Sequence, residues 1–246
     1  ARPTIHVSFA PGTKWLCTQG AEGAYSHSYI STRYDVDFDT PNTPSDYPVL
    51  YAPMAGVAIV HASNTGFGYH VNIDLEDGTY VVIGHMSQVD VQSFTRVEIG
   101  QPLGKAGCTG SCTGEHVHLG VHQGSATVPA TQGRSIPFNV FMVDATVNAQ
   151  NTGDEIWVQS EGPARAHDTR SLVCDVFDGH VYESMMPLYR GTDQGGEPPE
   201  EDPVEEPEEE PSVPEYEGDD PGECSDGADN DTDGLVDCLD PDCAEF

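Results

Sequence analysis

A chain of 246 residues with 42 acidic side chains against 9 Lys and Arg carries a formal net charge of −33, and its hydrophobic fraction is only 37%. That length permits one sizeable domain with appendages, or two small ones. With so few Lys and Arg to neutralise phosphates it does not suit nucleic acid, and it contains no run of 18 apolar residues that would serve as a membrane span.

The opening "ARPTIHVSFAPG" lacks the apolar core of a signal peptide and reads as a mature N-terminus. Next comes "YSHSYISTRYDVDFDTP", in which Val36 and Phe38 alternate with Asp35, Asp37 and Asp39. This is a strand with one acidic face, preceded by a loop that carries His27. From residue 48 to 125 short strands follow one another: "VLYAPMAGVAIVHAS", "YHVNIDLEDGTYVVIGHM", "RVEIGQPLGKAG" and "EHVHLGVHQG". Asp77-Gly78 between two alternating runs predicts a hairpin, and His85 ends an apolar strand. In the last run Val117, Leu119 and Val121 alternate with His116, His118 and His122, the period of a half-buried strand. Two imidazoles about 7 Å apart along a strand can serve one site, one on a metal and one on whatever the metal holds. Beyond it, "IPFNVFMV", "DEIWVQS" and "RSLVCDVFDGHVYESM" read as further strands of unassigned sheet.

At residue 191 the composition changes. Residues 191–246 hold 23 of the 42 acidic residues and no Lys or Arg, so −23 of the −33 sits there. The stretch 191–222 is an acidic Pro-rich linker that cannot bury enough apolar surface to fold. Residues 223–246 form a small Asp- and Cys-rich module. Asp229, Asp231, Asp233, Asp237 and Asp240 fall at positions 1, 3, 5, 9 and 12 of a loop with Gly234 at 6, the oxygen spacing that wraps Ca2+. Seven cysteines in so polar a chain indicate disulfides and a secreted protein, extracellular or periplasmic. Cys108 and Cys112 read as a disulfide bracing the loop before the HxH strand. Cys17 and Cys174 are a candidate pair for geometry to decide. The odd count leaves one thiol free, paired between chains, or parted from a lost partner.

The order of these motifs, "SHSYISTRYDVDF", "VLYAPMAGVAIV", "GYHVNIDLEDGTYVVIGHMSQV" and "VEIGQPLGKAGCTGSCTGEHVHLGV", resembles the LytM and lysostaphin-like zinc peptidases of the M23 group over residues 15 to 139. The resemblance implies an all-β fold with an antiparallel sheet or sandwich core of the M23 type. It implies His27, Asp37 and His118 as Zn2+ ligands and His85 and His116 as the catalytic pair. The implied function is that of a zinc endopeptidase of the bacterial cell envelope acting on peptidoglycan stems or cross-bridges, expected as a monomer. The domain boundaries so read are 1–145 for the peptidase, 146–190 for a β-rich extension of it, 191–222 for the linker and 223–246 for the tail, which resembles thrombospondin type 3 repeats. One departure stands out. The commonest family motif is HxxxD, and four residues before Asp37 stands Arg33, which cannot bind a metal because it stays protonated. His27, delivered by a longer loop, is taken as the replacement. The competing readings are a catalytically silent module that binds wall peptides or activates another hydrolase, and a calcium-dependent adhesive tail with the β domain as its targeting unit. Glu115 is expected on the opposite face from His116, and His61, His70, His122, His167 and His180 are read as bystanders, all but His122 among polar surface candidates.

Overall fold

The computed structural model describes residues 2–39, 47–148, 157–174 and 180–191. The stretch read as a linker beyond residue 191 and the Asp-rich segment after it, with the expected calcium-type spacing and three cysteines, lie outside the described residues.

The fold is all-β. Its strands are β1 (Thr4–His6), β2 (Lys14–Gln19), β3 (Val36–Asp39), β4 (Val49–Tyr51), β5 (Gly56–His61), β6 (Tyr69–Asp74), β7 (Thr79–Met86) and β8 (Gln88–Val89). They continue with β9 (Thr95–Val97), β10 (Pro102–Lys105), β11 (Val117–Gln123), β12 (Arg134–Ser135), β13 (Asn139–Asn148), β14 (Trp157–Asp168) and β15 (Val181–Ser184). The helical turns among the described residues are two 3₁₀ turns, Ala130–Gln132 and Thr169–Ser171. No helix among the described residues is long and apolar enough to cross a membrane.

A large sheet runs β1-β13-β15-β2-β3-β11-β7-β6-β5-β9, with β12 added to β11 and β14 to β13, and a three-stranded sheet runs β4-β10-β8. The large sheet is antiparallel except for the pairing of β1 with β13. The hairpin predicted at Asp77-Gly78 joins β6 to β7, with Gly78 at φ 86° where a left-handed residue is required. The run of unassigned strands is β13, β14 and β15, which extend this sheet rather than forming a new one. Within "RSLVCDVFDGHVYESM" the described strand is confined to β15, and Thr169 to Ser171 make a 3₁₀ turn instead.

Alternation decides which side chains go where. On β3 and β11, Val36, Phe38, Val117, Leu119 and Val121 join Phe9, Trp15, Phe138 and Tyr182 in the main core. Phe9 stacks on Trp15 at 4.5 Å. The opposite face of the same two strands carries Asp35, Asp37, His118 and His122, and it too is buried. Loops cover it, together with a small second cluster of Ile59, Phe67, Tyr80, Val82, Ala126 and Ala130. The acidic face read from the alternation of Asp35 and Asp37 is therefore inside, which demands partners for its carboxylates. Two disulfides, Cys17–Cys174 and Cys108–Cys112, are formed as the sequence suggested.

Candidate metal centre

The register of β3 against β11 places His118 directly opposite Asp37, and β7 places Gly84 on the other side of His118. Gly84 has a reason to be glycine, since a Cβ there would stand 3.1 Å from the His118 Cβ. His27 comes from the turn-rich loop between β2 and β3. Its backbone N–H donates to Gly23 O at 3.1 Å, and the Ser26 N–H donates to the Gln19 side-chain oxygen. Arg33 points elsewhere, with its guanidinium on Glu22 at 2.6 Å, so that the pair staples the loop on its exposed side. The loop thus brings His27, and not Arg33, to Asp37.

His27, Asp37 and His118 offer one ligand atom each within 4.8 Å of one another, and all three are buried. Second partners fix which atoms these are. His27 donates Nδ1–H to Gly20 O at 2.9 Å, leaving Nε2 as a lone pair, 3.3 Å from Asp37 Oδ2. His118 donates Nε2–H to Asp35 Oδ2 at 2.8 Å, and its Nδ1 lies 2.9 Å from Asp37 Oδ1. Burial opposes a charge on this ring, but the Asp37 and Asp35 carboxylates outweigh it and push its pKa up to about 10, so a metal would take the place of the Nδ1 proton. Asp37 Oδ2 accepts from Gln19 at 2.9 Å. Despite their closeness, His27 Nε2 and Asp37 Oδ1 make no hydrogen bond and are buried. Orphaned buried acceptors are costly alone, whereas two imidazole nitrogens and a carboxylate oxygen turned to one point are the donor set a divalent metal takes. The residues fit a metal. Without a metal, burial opposes the charge on Asp37, and the positive charge that His27 and His118 carry when protonated outweighs it, holding the carboxyl well below the usual range.

His85 and His116 stand beside this group, with ring centroids 4.6 Å apart. His85 donates Nδ1–H to Thr109 O at 2.8 Å and His116 donates Nδ1–H to Gly114 O at 2.7 Å, so both keep Nε2 free as a proton acceptor. His85 has φ 61°, a region that non-glycine residues seldom occupy. Its N–H donates to Phe67 O at 2.8 Å and holds it there. Burial, with His118 and His116 adding to it, pushes the His85 pKa down to about 3, so the ring is neutral. His116 is more exposed, and its Nε2 lies 3.7 Å from Asp37 Oδ1.

All of these except His27 line a groove of about 590 Å³ walled by Tyr25, Tyr29, Phe67, Thr113 and Thr131. The Tyr25 hydroxyl donates to Thr113 Oγ1 at 3.2 Å, joining the His27 loop to the loop before β11. Glu115 also lines the groove, contrary to expectation: β11 begins at Val117, so strand alternation does not reach back to residue 115. Two of the bystander histidines are not on the surface. His122 and His70 are 0% and 2% exposed, because His122 bonds Asp35 and His70 is enclosed under the loop that follows β11. His167 and His180 flank Asp144 at 3.7 Å each, and His61 stacks on His70. The residue missed from the sequence is Asp35. Its signal was present in the alternation of Asp35 with Asp37, which places both on the His118 face.

Residues 33–130 match the family model described as Peptidase family M23. The span contains Asp37, His85, His116 and His118, while His27 lies ahead of it. Among solved structures, a mutant catalytic domain of the prophage-encoded M23 protein EnpA from Enterococcus faecalis is 24% identical, with 53% of this chain and 93% of that one covered and a TM-score of 0.42. A peptidase M23 structure from Pseudomonas aeruginosa is 30% identical, covering 46% and 48%, with a TM-score of 0.33. The catalytic domain of the antimicrobial peptidase lysostaphin from Staphylococcus simulans is 20% identical, covering 50% and 87%, with a TM-score of 0.37. The comparison with curated proteins gave no match. The chain thus resembles the M23 peptidases over the region that its motifs indicated.

Proposed function

We propose that this chain is a zinc endopeptidase that hydrolyses peptide bonds in bacterial cell-wall peptidoglycan, working outside the cytoplasm. The observation that carries the reading is the convergence of His27, His85, His116 and His118 on Asp37, each ring with its far nitrogen engaged and its near nitrogen turned to the same space. His27 Nε2, Asp37 Oδ1 and His118 Nδ1 would hold the metal. Zinc held there would supply Lewis acidity, lowering the pKa of water and polarising a carbonyl.

The rest is the work of the chain itself. His116, at the groove surface, takes a proton from the attacking water on Nε2 and returns one to the leaving amine. His85, kept neutral by burial, faces the same space and orients the reacting groups. Phe67, beneath the rings at 4.7 Å from His118, excludes water from below. Two disulfides fit an oxidising compartment.

Zinc analysis and amine release from purified peptidoglycan test this together. Wild type should hold one zinc and release amines. His27→Ala and His118→Ala should lose both metal and activity. His116→Ala should keep the metal and lose about 10²–10⁴-fold in turnover, and Arg33→Ala should keep both. A wild-type chain that takes up no zinc would instead support the silent, wall-binding reading.

A further inference from the structure

Behind the metal centre lies a buried polar network that the chemistry above does not use. Asp35 Oδ2 accepts from His118 Nε2 at 2.8 Å and from His122 Nε2 at 2.9 Å. Its Oδ1 accepts from the Ser135 hydroxyl at 2.6 Å, and Ser135 Oγ in turn accepts from the Tyr34 N–H at 3.0 Å. Asp35, His122 and Ser135 are at most 1% exposed. A carboxylate placed there without donors would be expensive, and here it has three.

The strand register explains how it is seated. With His118 opposite Asp37 and Leu119 opposite Val36, Asp35 falls opposite Gly120. His118, Gly120 and His122 share one face of β11, and the Asp35 side chain crosses the strand over Gly120, between the two rings. A Cβ at Gly120 would lie 2.5 Å from the Asp35 carboxyl carbon. The spacing H-x-G-x-H therefore has a physical content: two donors flank a gap that one carboxylate fills.

A carboxylate can only accept, so both histidines must present Nε2–H to it. In His118 that commits Nε2 to Asp35, so Nδ1, which faces His27 and lies 2.9 Å from Asp37 Oδ1, is the nitrogen left to exchange its proton for a metal. We propose that Asp35 is the positioning residue of the metal centre: through the Nε2–H bond it fixes the tautomer and orientation of His118, and thereby selects Nδ1 as the metal-binding nitrogen. Its place over Gly120 and its partners His122 and Ser135 keep it there. This rests on the zinc reading above and adds to it which atom binds and what sets it.

The experiment uses the full chain, with zinc affinity measured by competition with a chromophoric chelator, nitrogen NMR of the histidines in the zinc-loaded form, and melting of the metal-free form. Wild type should coordinate through His118 Nδ1 with Nε2 protonated. Asp35→Asn should weaken zinc binding about 10- to 100-fold, the usual effect of losing a partner that orients a metal ligand. Gly120→Ala should do the same without changing any charge, by displacing the carboxylate, and Ser135→Ala should cost less than either. A merely structural Asp35 would lower the melting point of the metal-free Asp35→Asn protein and leave its zinc affinity unchanged, which would overturn the proposal. So would wild-type coordination through His118 Nε2, a measurement that needs no variant to fold. A wild type that binds no zinc overturns this proposal and the function together, whereas zinc and activity with Nε2 coordination overturn this one alone.

Discussion

His70 Nδ1–H donates to Gly68 O at 2.9 Å, and its Nε2 accepts from the Ala130 N–H at 3.4 Å, so neither ring nitrogen can take up another proton without breaking a bond. His61 stacks on it at 4.8 Å, and His118 and His122 add unfavourable charge nearby. Burial is the main cause that pushes its pKa down from 6.5 to about 4. Between those two values the unfolded chain binds more protons than the folded one, so stability rises with pH across this window. The contribution is present above pH 6.5 and is lost as the pH falls toward 4, to the extent of about 3 kcal/mol. Urea titrations of the chelator-treated protein should show this slope, and His70→Gln should be less stable at pH 7 yet flatter below 6.5. Equal slopes for the two would exclude His70 as the group responsible.

Two loops decide where the His85 ring points. The loop before β6 and the loop after β10 interlock: Ser111 N–H donates to Gly66 O at 2.8 Å, Gly66 N–H donates to Ser111 Oγ at 3.0 Å, and Tyr69 N–H donates to Thr109 Oγ1 at 2.8 Å. Gly68 has φ 64°, and a Cβ there would lie 2.3 Å from Thr109 O, the acceptor for His85 Nδ1. Gly68→Ala should therefore destabilise by about 1–3 kcal/mol and lower kcat at least tenfold with zinc content unchanged, because no proposed metal ligand sits on either loop. Loss of zinc from this variant would show that the loops serve the ligands instead. Such interlocking is hard to read in a sequence. Alternation made β3, β6, β7 and β11 legible, and the HxH on β11 with the lone His85 pointed to the groove. The glycines at 66, 68 and 110 gave only a turn signal, because their role depends on backbone contacts between segments some 40 residues apart in sequence.

The Cys17–Cys174 disulfide ties β2 to the chain after the second 3₁₀ turn, across a sequence separation of 157. Bridges of this span contribute on the order of 2–5 kcal/mol, and residues 1–192 form one compact unit. Replacing both cysteines with Ala should therefore lower the melting temperature by about 5–20 °C, and calorimetry that finds less than about 2 °C would mean that the bridge is redundant. At this scale the sequence was least informative: the all-β class followed from alternation, but the placement of β13 to β15 did not, because their partners β1 and β2 lie at the far end of the chain. His27 stood between these extremes. Its loop was visible as an interruption of the strict motif, but the contacts that fold it back, from Ser26 to Gln19, from His27 to Gly20 and Gly23, and between Glu22 and Arg33, were not. The pairing of β1 with β13 has a kinetic meaning as well. Thr4 meets Asn139, and β2 lies between β3 and a strand that begins only at Val181. Ordering so much intervening chain before such contacts form makes a fold slow to assemble. On the ribosome, the strands β3 and β11 that carry Asp37 and His118 are synthesised well before the sheet that supports them can be completed, so the nascent chain should pass through a stage with these side chains made and its edge at β2 still open to other chains.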